Sequence, residues 1–309
     1  MCDGITKTLF AVIKDIQMST ELATTGSSNP LAELMGEPKP DTKPRSTLAR
    51  VSVLSTAIKG EIELGGKKIK TDVVPVGSYK ITLGDDVFYA ESVEVRLLAD
   101  RYQFQRWNSN TNEMEKSVMS RSTSTDLQDS TGGYNLGRPS GYIEDWNSLP
   151  EATKEIIRSA KRVKIFMGVL TVKNPLDDTG TPTSGEYNEI PFVMDVKNQD
   201  SLKSLAATQK AIERKNVLPY MAKIVLRGEE ASIPTGATYG YITSSVGDIL
   251  QHSDEDSAYM TSTAADFLDY ISYSNGKILD LHNERSNTSM SAEDADLVGS
   301  IINVEEAAY

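Results

Sequence analysis

The sequence predicts a β-rich α+β body followed by an acidic, helical C-terminal segment, and three observations carry this expectation. Residues 47–121 are dominated by β-branched and aromatic residues, with turn signals at Gly65-Gly66, Pro75 to Gly77 and Gly84-Asp85. Two segments of helical periodicity sit among the later strands, without the regular βαβα alternation of a doubly wound sheet. Of 44 acidic and 32 basic residues, twelve acids and two bases fall in residues 251–309, so that segment carries ten of the twelve net negative charges. The chain up to residue 250 keeps 32 acids and 30 bases, near neutral and free to be locally basic.

The elements divide the chain into three parts: an N-terminal amphipathic segment and tether (1–46), a β-rich body (47–250), and an acidic C-terminal helix and tail (251–309). Within 4–23, Ile5, Leu9, Val12, Ile13 and Ile16 stand at roughly helical spacing. Pro30, Pro38, Pro40 and Pro44 then interrupt regular structure up to Arg45. The body strands end in FYAESVEVRLLADRYQFQRW, where Val93, Val95 and Leu97 alternate as a strand with one buried face should.

A polar, glycine-punctuated stretch at 122–147 reads as an unusually long loop. Ser148 with Glu151 forms a capping-box signature, predicting a helix that runs into a strand over Val163 to Val172. Asp200 is read as the cap of a second helix reaching about Asn216, and strands follow near Tyr220 to Leu226 and Thr238 to Thr243. Phe267, Leu268, Ile271 and Ile278 then suggest a further helix, broken or bent at Asn275-Gly276.

Composition removes several function classes. Cys2 is the single cysteine, so no intrachain disulfide forms, and with His252 and His282 as the only histidines, zinc sites built on Cys and His are excluded. No nucleophile elbow, HExxH, kinase or dinucleotide signature occurs, and both histidines lie in the acidic segment, so no enzyme activity and no cofactor are expected. Asp85-Asp86 and Asp177-Asp178 are the candidate carboxylate pairs for magnesium, but both lie in turn-like sequence where aspartate is common for conformational reasons, so no metal site is expected. No apolar run is long enough to span a bilayer and no secretory leader is visible, which suits a cytoplasmic protein without a membrane partner.

Three constellations bear on binding. Arg101-Tyr102-Gln103-Phe104-Gln105-Arg106-Trp107, with Arg96 upstream and Lys116 and Arg121 downstream, interleaves cations with aromatics. That pattern offers stacking platforms beside phosphate contacts, as single-stranded nucleic acid requires, although aromatic residues in strands more often fill cores. Lys154, Arg158, Lys161 and Arg162 fall within a quarter of the first predicted helix, and Lys203, Lys210 and Arg214 line the second. Two basic stripes in a net acidic chain indicate segregated charge and a polyanionic partner, against the plainer reading of solvated helix faces. Glycines 132, 133, 137 and 141 with Arg138 could cradle a phosphate, but the loop lacks the Lys-Ser/Thr of a P-loop.

The segments RYQFQRWN, KSVM, GGYNLGRPSG and KRVKIFMGVLTV resemble the central region of early or replication-associated proteins of tailed phages. The wider plan over residues 47–245 is similar to that of phage single-stranded DNA-binding proteins. This resemblance implies an OB-like β-barrel body with inserted helices and an acidic C-terminal tail. It gives Tyr102, Phe104, Arg106 and Trp107 the role of holding the strand. Glu305, Glu306 and Tyr309 would recruit replication or recombination proteins, and a homo-oligomer is compatible with the plan. The chain departs from the pattern in ending EEAAY after an apolar IINV, and in carrying the proline-rich tether. The alternative from another class is a virion structural or assembly protein that docks its terminal arms on neighbouring subunits. A DNA-mimicking inhibitor built on the acidic segment is a third.

Overall fold

The computed structural model describes residues 48–289, apart from 65–66, 124–125, 140–142, 234–235, 237 and 252. The readings of residues 1–46, and of the tail with Glu305, Glu306 and Tyr309, lie outside the described residues.

Nine strands form one mixed sheet: β1 (Ala49–Val53), β4 (Tyr79–Leu83), β5 (Asp86–Ala90), β6 (Ser92–Asn108), β7 (Glu113–Lys116), β8 (Lys161–Val172), β9 (Tyr187–Val196), β10 (Ala222–Ser232) and β11 (Thr238–Ile249). Their order is β11-β10-β6-β8-β9-β1-β4-β5, with β7 added to the far end of β6. β1 runs parallel to β9, and the other neighbours are antiparallel. β2 (Ile58–Leu64) and β3 (Lys67–Val74) make a separate antiparallel pair. Among the described residues three α-helices accompany the strands: α1 (Glu151–Ser159), α2 (Gln199–Glu213) and α3 (Asp254–Ser289).

Both faces of the sheet are covered. Val93, Val95, Phe166, Leu170, Phe192 and Ile224 join Leu205 and Ile212 of α2 in the main core. On the other side Val163, Ile165 and Met167 pack against Phe267 and Ile271 of α3. The alternation along β8, with Ile165 and Met167 on one face and Phe166 and Leu170 on the other, explains why its sequence reads as nearly continuous apolar residues.

β6 is where simple alternation fails. Its register against β8 shifts between Leu97 and Ala99, a bulge that inserts one residue and reverses which parity faces the main core. Before it, Val93, Val95 and Leu97 point into the main core, while Arg96 points to the α3 side. After it, Ala99 and Arg101 stand opposite Met167 and Ile165 and therefore face α3.

The sheet is open, which corrects the expectation of an OB-like barrel. No ladder joins β10 or β11 to β1, β4 or β5. The outer edge of β11 is taken by α2: the Ile242 amide donates to Ser201 Oγ at 2.8 Å, the Ser244 amide to Ser204 Oγ at 2.8 Å, and Thr208 Oγ1 donates to the Ser244 carbonyl at 3.0 Å. Backbone groups that a closing strand would need are thus already satisfied by a helix. β10 and β11 come close to the β1 end of the sheet at glycines. A side chain at Gly228 would place its Cβ 1.6 Å from the Gly77 carbonyl oxygen, and Gly77 itself has φ of +88°. Only a backbone without Cβ permits that approach.

Helix boundaries also differ from expectation for local reasons. The first helix begins after Pro150, not at Ser148, whose hydroxyl donates to the Asp145 carbonyl. Proline holds the preceding residue in extended geometry, so the capping box cannot form. Asn198 rather than Asp200 caps α2, accepting from the Asp200 and Ser201 amides at 2.8 and 3.1 Å. α3 runs unbroken through Asn275-Gly276, and the Asn275 side chain accepts from the Met119 amide and donates to the Met119 carbonyl. Asp254, Glu255 and Asp256 occupy its first turn, where the helix dipole favours acid.

Candidate nucleic-acid interface

The interleaved segment lies on β6 beside β7 and β8, and strand geometry divides it between two faces. Gln105 stands opposite both Lys116 and Lys161, so these three share the α3-facing side, together with Trp107 two residues on and its partner Met114. Phe104, Arg106, Glu115 and Arg162 lie on the other side. Lys161 and Arg162 belong to β8, not to the first helix, so the expected four-residue helical stripe does not exist and its two ends point to opposite faces.

Most of the candidate cations are already engaged. Arg96 is 3% exposed. Its guanidinium donates to both oxygens of Asp256 at 2.7 Å, to Glu189 Oε1 at 2.6 Å and to the Tyr220 carbonyl at 2.7 Å. Burial alone would lower its pKa, and the bonds to Asp256 and Glu189 outweigh that and hold it above the ordinary arginine value. This arginine fastens the first turn of α3 to the sheet. Arg106 pairs with Glu115 at 2.7 Å and donates to the Leu136 carbonyl. Lys154 and Arg158 both reach Glu151, and Arg158 also lies over the Trp146 ring. Phe104 is buried with Leu127, Leu136 and Ala160, and Tyr102 lies beneath the Lys164 ammonium.

The glycine stretch holds an anion, but the anion is its own. Asp129 is fully buried, and its carboxylate accepts from the amides of Thr131, Gly133 and Leu136, the last at 2.6 Å. The Asn135 side chain adds a bond from the Leu127 amide. The amides that a phosphate would have used are thereby consumed. Arg138 turns away to donate to the Ile157 and Ala160 carbonyls at the end of α1, and burial, with Arg162 nearby, lowers its pKa. Asp177, of the second carboxylate pair, accepts from the Thr179 and Thr181 amides in a turn, and its carboxyl sits below its ordinary pKa through the Thr179 hydroxyl bond first. Among the described residues no three His, Cys, Asp or Glu side chains cluster to hold a metal ion, and no helix is long and apolar enough to cross a membrane.

What stays accessible is a smaller set. Trp107 is 54% exposed beside Met114, with half-buried Lys116 and exposed Lys161 on the same face. Gln105 bridges the row to Asp195 through a 3.0 Å bond. Arg162 is exposed on the opposite face, and Arg101 and Arg121 lie apart from this row, beside α3.

Sequence reasoning missed the ionic clasp at the other end of β6. Glu94 accepts from Lys173, and from Lys223 of β10 at 3.2 Å. Its carboxyl is held below the ordinary glutamate range, chiefly by the Lys173 bond. A depressed folded pKa contributes stability that is complete above the unfolded value, about 4.3, and is lost as pH falls through the folded value. The urea-midpoint gap between the parent chain and Glu94→Gln is therefore expected to be constant near neutrality and to shrink below about pH 4. A gap unchanged down to pH 3 would contradict this account.

Comparison with protein-family models, with curated proteins and with solved structures finds no match, so nothing there supports the phage and DNA-binding attributes drawn from the resemblance to phage single-stranded DNA-binding proteins, and the open sheet overturns the OB fold that the resemblance implied.

Proposed function

We propose that the chain is a non-enzymatic binding protein whose partner is a single-stranded polyanion, single-stranded nucleic acid being the form its side chains suit. The observation that carries this reading is the accessible row Trp107, Lys116 and Lys161 on one face of β6, β7 and β8. An exposed indole gives a base a stacking surface, and two lysines within reach of the same row give phosphates their counter-charge. The engaged arginines play no part: Arg96, Arg106, Arg138 and Arg158 build the fold around the row. Binding on this basis is sequence-tolerant and modest, because few phosphates are neutralised.

Fluorescence-anisotropy titration of a labelled oligothymidylate over a salt series tests the reading. Two lysine contacts give a slope of log K against log salt of about −1.4 for single strands, and Lys161→Gln is expected to flatten it by about 0.7. Loss of a stacked base in Trp107→Ala costs about 1–3 kcal/mol, roughly 5- to 150-fold in affinity. Absence of binding at low salt, or affinity indifferent to both substitutions, rejects the reading.

A further inference from the structure

We infer that the cleft between β6 and α3 is a binding site for a small amphipathic anion, an aliphatic carboxylate whose chain lies in the cleft and whose head meets Arg101 and Arg121. The site is separate from the Trp107 row and does not depend on it. The cleft, about 400 Å³, lies where the register of β6 shifts, and Leu97, Leu98 and Ala99 line it. Small-molecule sites are typically clefts of roughly 300–1,000 Å³ with apolar walls and a few placed polar groups. Here the walls include Leu98, Pro219, Phe267 and Ile271. They are mainly aliphatic, which suits a hydrocarbon chain better than a flat ring. Leu268 on the same wall is 56% exposed, an apolar side chain left in water beside an opening that a ligand chain would cover.

The charge at this cleft is unbalanced. Arg101 donates to the Asp100 carbonyl at 2.7 Å. Arg121 is exposed and has no ion pair or hydrogen bond among the described residues. Asp100 also lines the cleft, and its carboxylate pairs with Lys164 at 2.9 Å. The pKa of Arg101 is lowered first by burial and then by Arg121, as expected for two like charges held beside one cleft. A carboxylate between two guanidinium groups relieves that repulsion and accepts paired N–H bonds.

Isothermal titration of the full chain with decanoate, below its micelle concentration, and with decanol as the neutral control tests the assignment. Decanoate is expected to bind saturably with one site per chain, decanol at least tenfold more weakly. Arg121→Gln, at an exposed position and with its fold checked by circular dichroism, is expected to weaken decanoate at least tenfold. Oligothymidylate affinity is expected to be unchanged by saturating decanoate. The assignment is overturned if decanoate shows no saturable binding, if decanol binds as tightly, or if Arg121→Gln binds decanoate like the parent chain.

Discussion

Replacing Asp129 with alanine is expected to cost about 3–5 kcal/mol of stability, because several donors lose one acceptor at once. The Leu136 amide is the most exposed to this loss: Leu136 is 1% exposed, so no water replaces the carboxylate. Each buried donor left unsatisfied costs about 1–3 kcal/mol, while Thr131 and Gly133, being half-buried, recover part of theirs. Asn135 and Leu136 add to the effect, since both hold left-handed backbone with φ of 56° and 54°. Such residues persist only where their surroundings over-determine them. Opening the stretch would uncover Phe104, whose cover is Leu127 and Leu136. Chemical denaturation should show the lowered midpoint, and limited proteolysis should show new cleavage within residues 126–138. A loss below about 1 kcal/mol would mean the clasp is not what orders the loop.

Arg96→Met is the second large effect, expected at about 3–5 kcal/mol. Removing the guanidinium leaves Asp256, Glu189 and the Tyr220 carbonyl facing one another without their shared donor. Breaking a buried pair on one side is costly because the surviving charge stays desolvated. Glu189 and Asp256 keep 34% and 21% of their side-chain exposure, which places the cost toward the lower end. The loss should be local in its first expression, with amide exchange rising in the first turns of α3 before the sheet responds. Adding Glu189→Gln and Asp256→Asn to Arg96→Met should restore part of the stability, and no recovery would show that packing rather than charge accounts for the loss.

These two residues mark where sequence reasoning stopped. Strand-rich character, the later helices and the burial of Val93 and Val95 were legible, because period-two alternation and helical spacing are local properties. The bulge after Leu97 is not local in this sense: it depends on how β6 registers against β8, some seventy residues away, and it reverses the phase of everything from Ala99 onward. Strand alternation after it divides the candidate interface, with Gln105 and Trp107 on one face and Phe104 and Arg106 on the other. Arg96 looked like a free cation because its partners, Glu189 and Asp256, stand 93 and 160 residues away. Asp129 went unnoticed for the opposite reason: its partners are neighbours, but an aspartate before a Ser-Thr-Gly-Gly turn looks the same whether solvated or buried. Trp107 is left accessible among the described residues.

The seam along β11 has a consequence beyond the shape of one molecule. A twelve-residue lateral strand with free amides is a template on which another chain can build, and copies meeting edge to edge would extend the sheet between molecules. Ser201, Ser204 and Thr208 recur at one-turn and two-turn intervals along α2, so a single helical face presents hydroxyls at the spacing of the strand's outward backbone groups. A helix thereby mimics a neighbouring strand to the edge it covers while offering no further edge of its own. At Ile242 and Ser244 the wide, unclosed sheet therefore ends on a helix instead of on a row of open backbone groups.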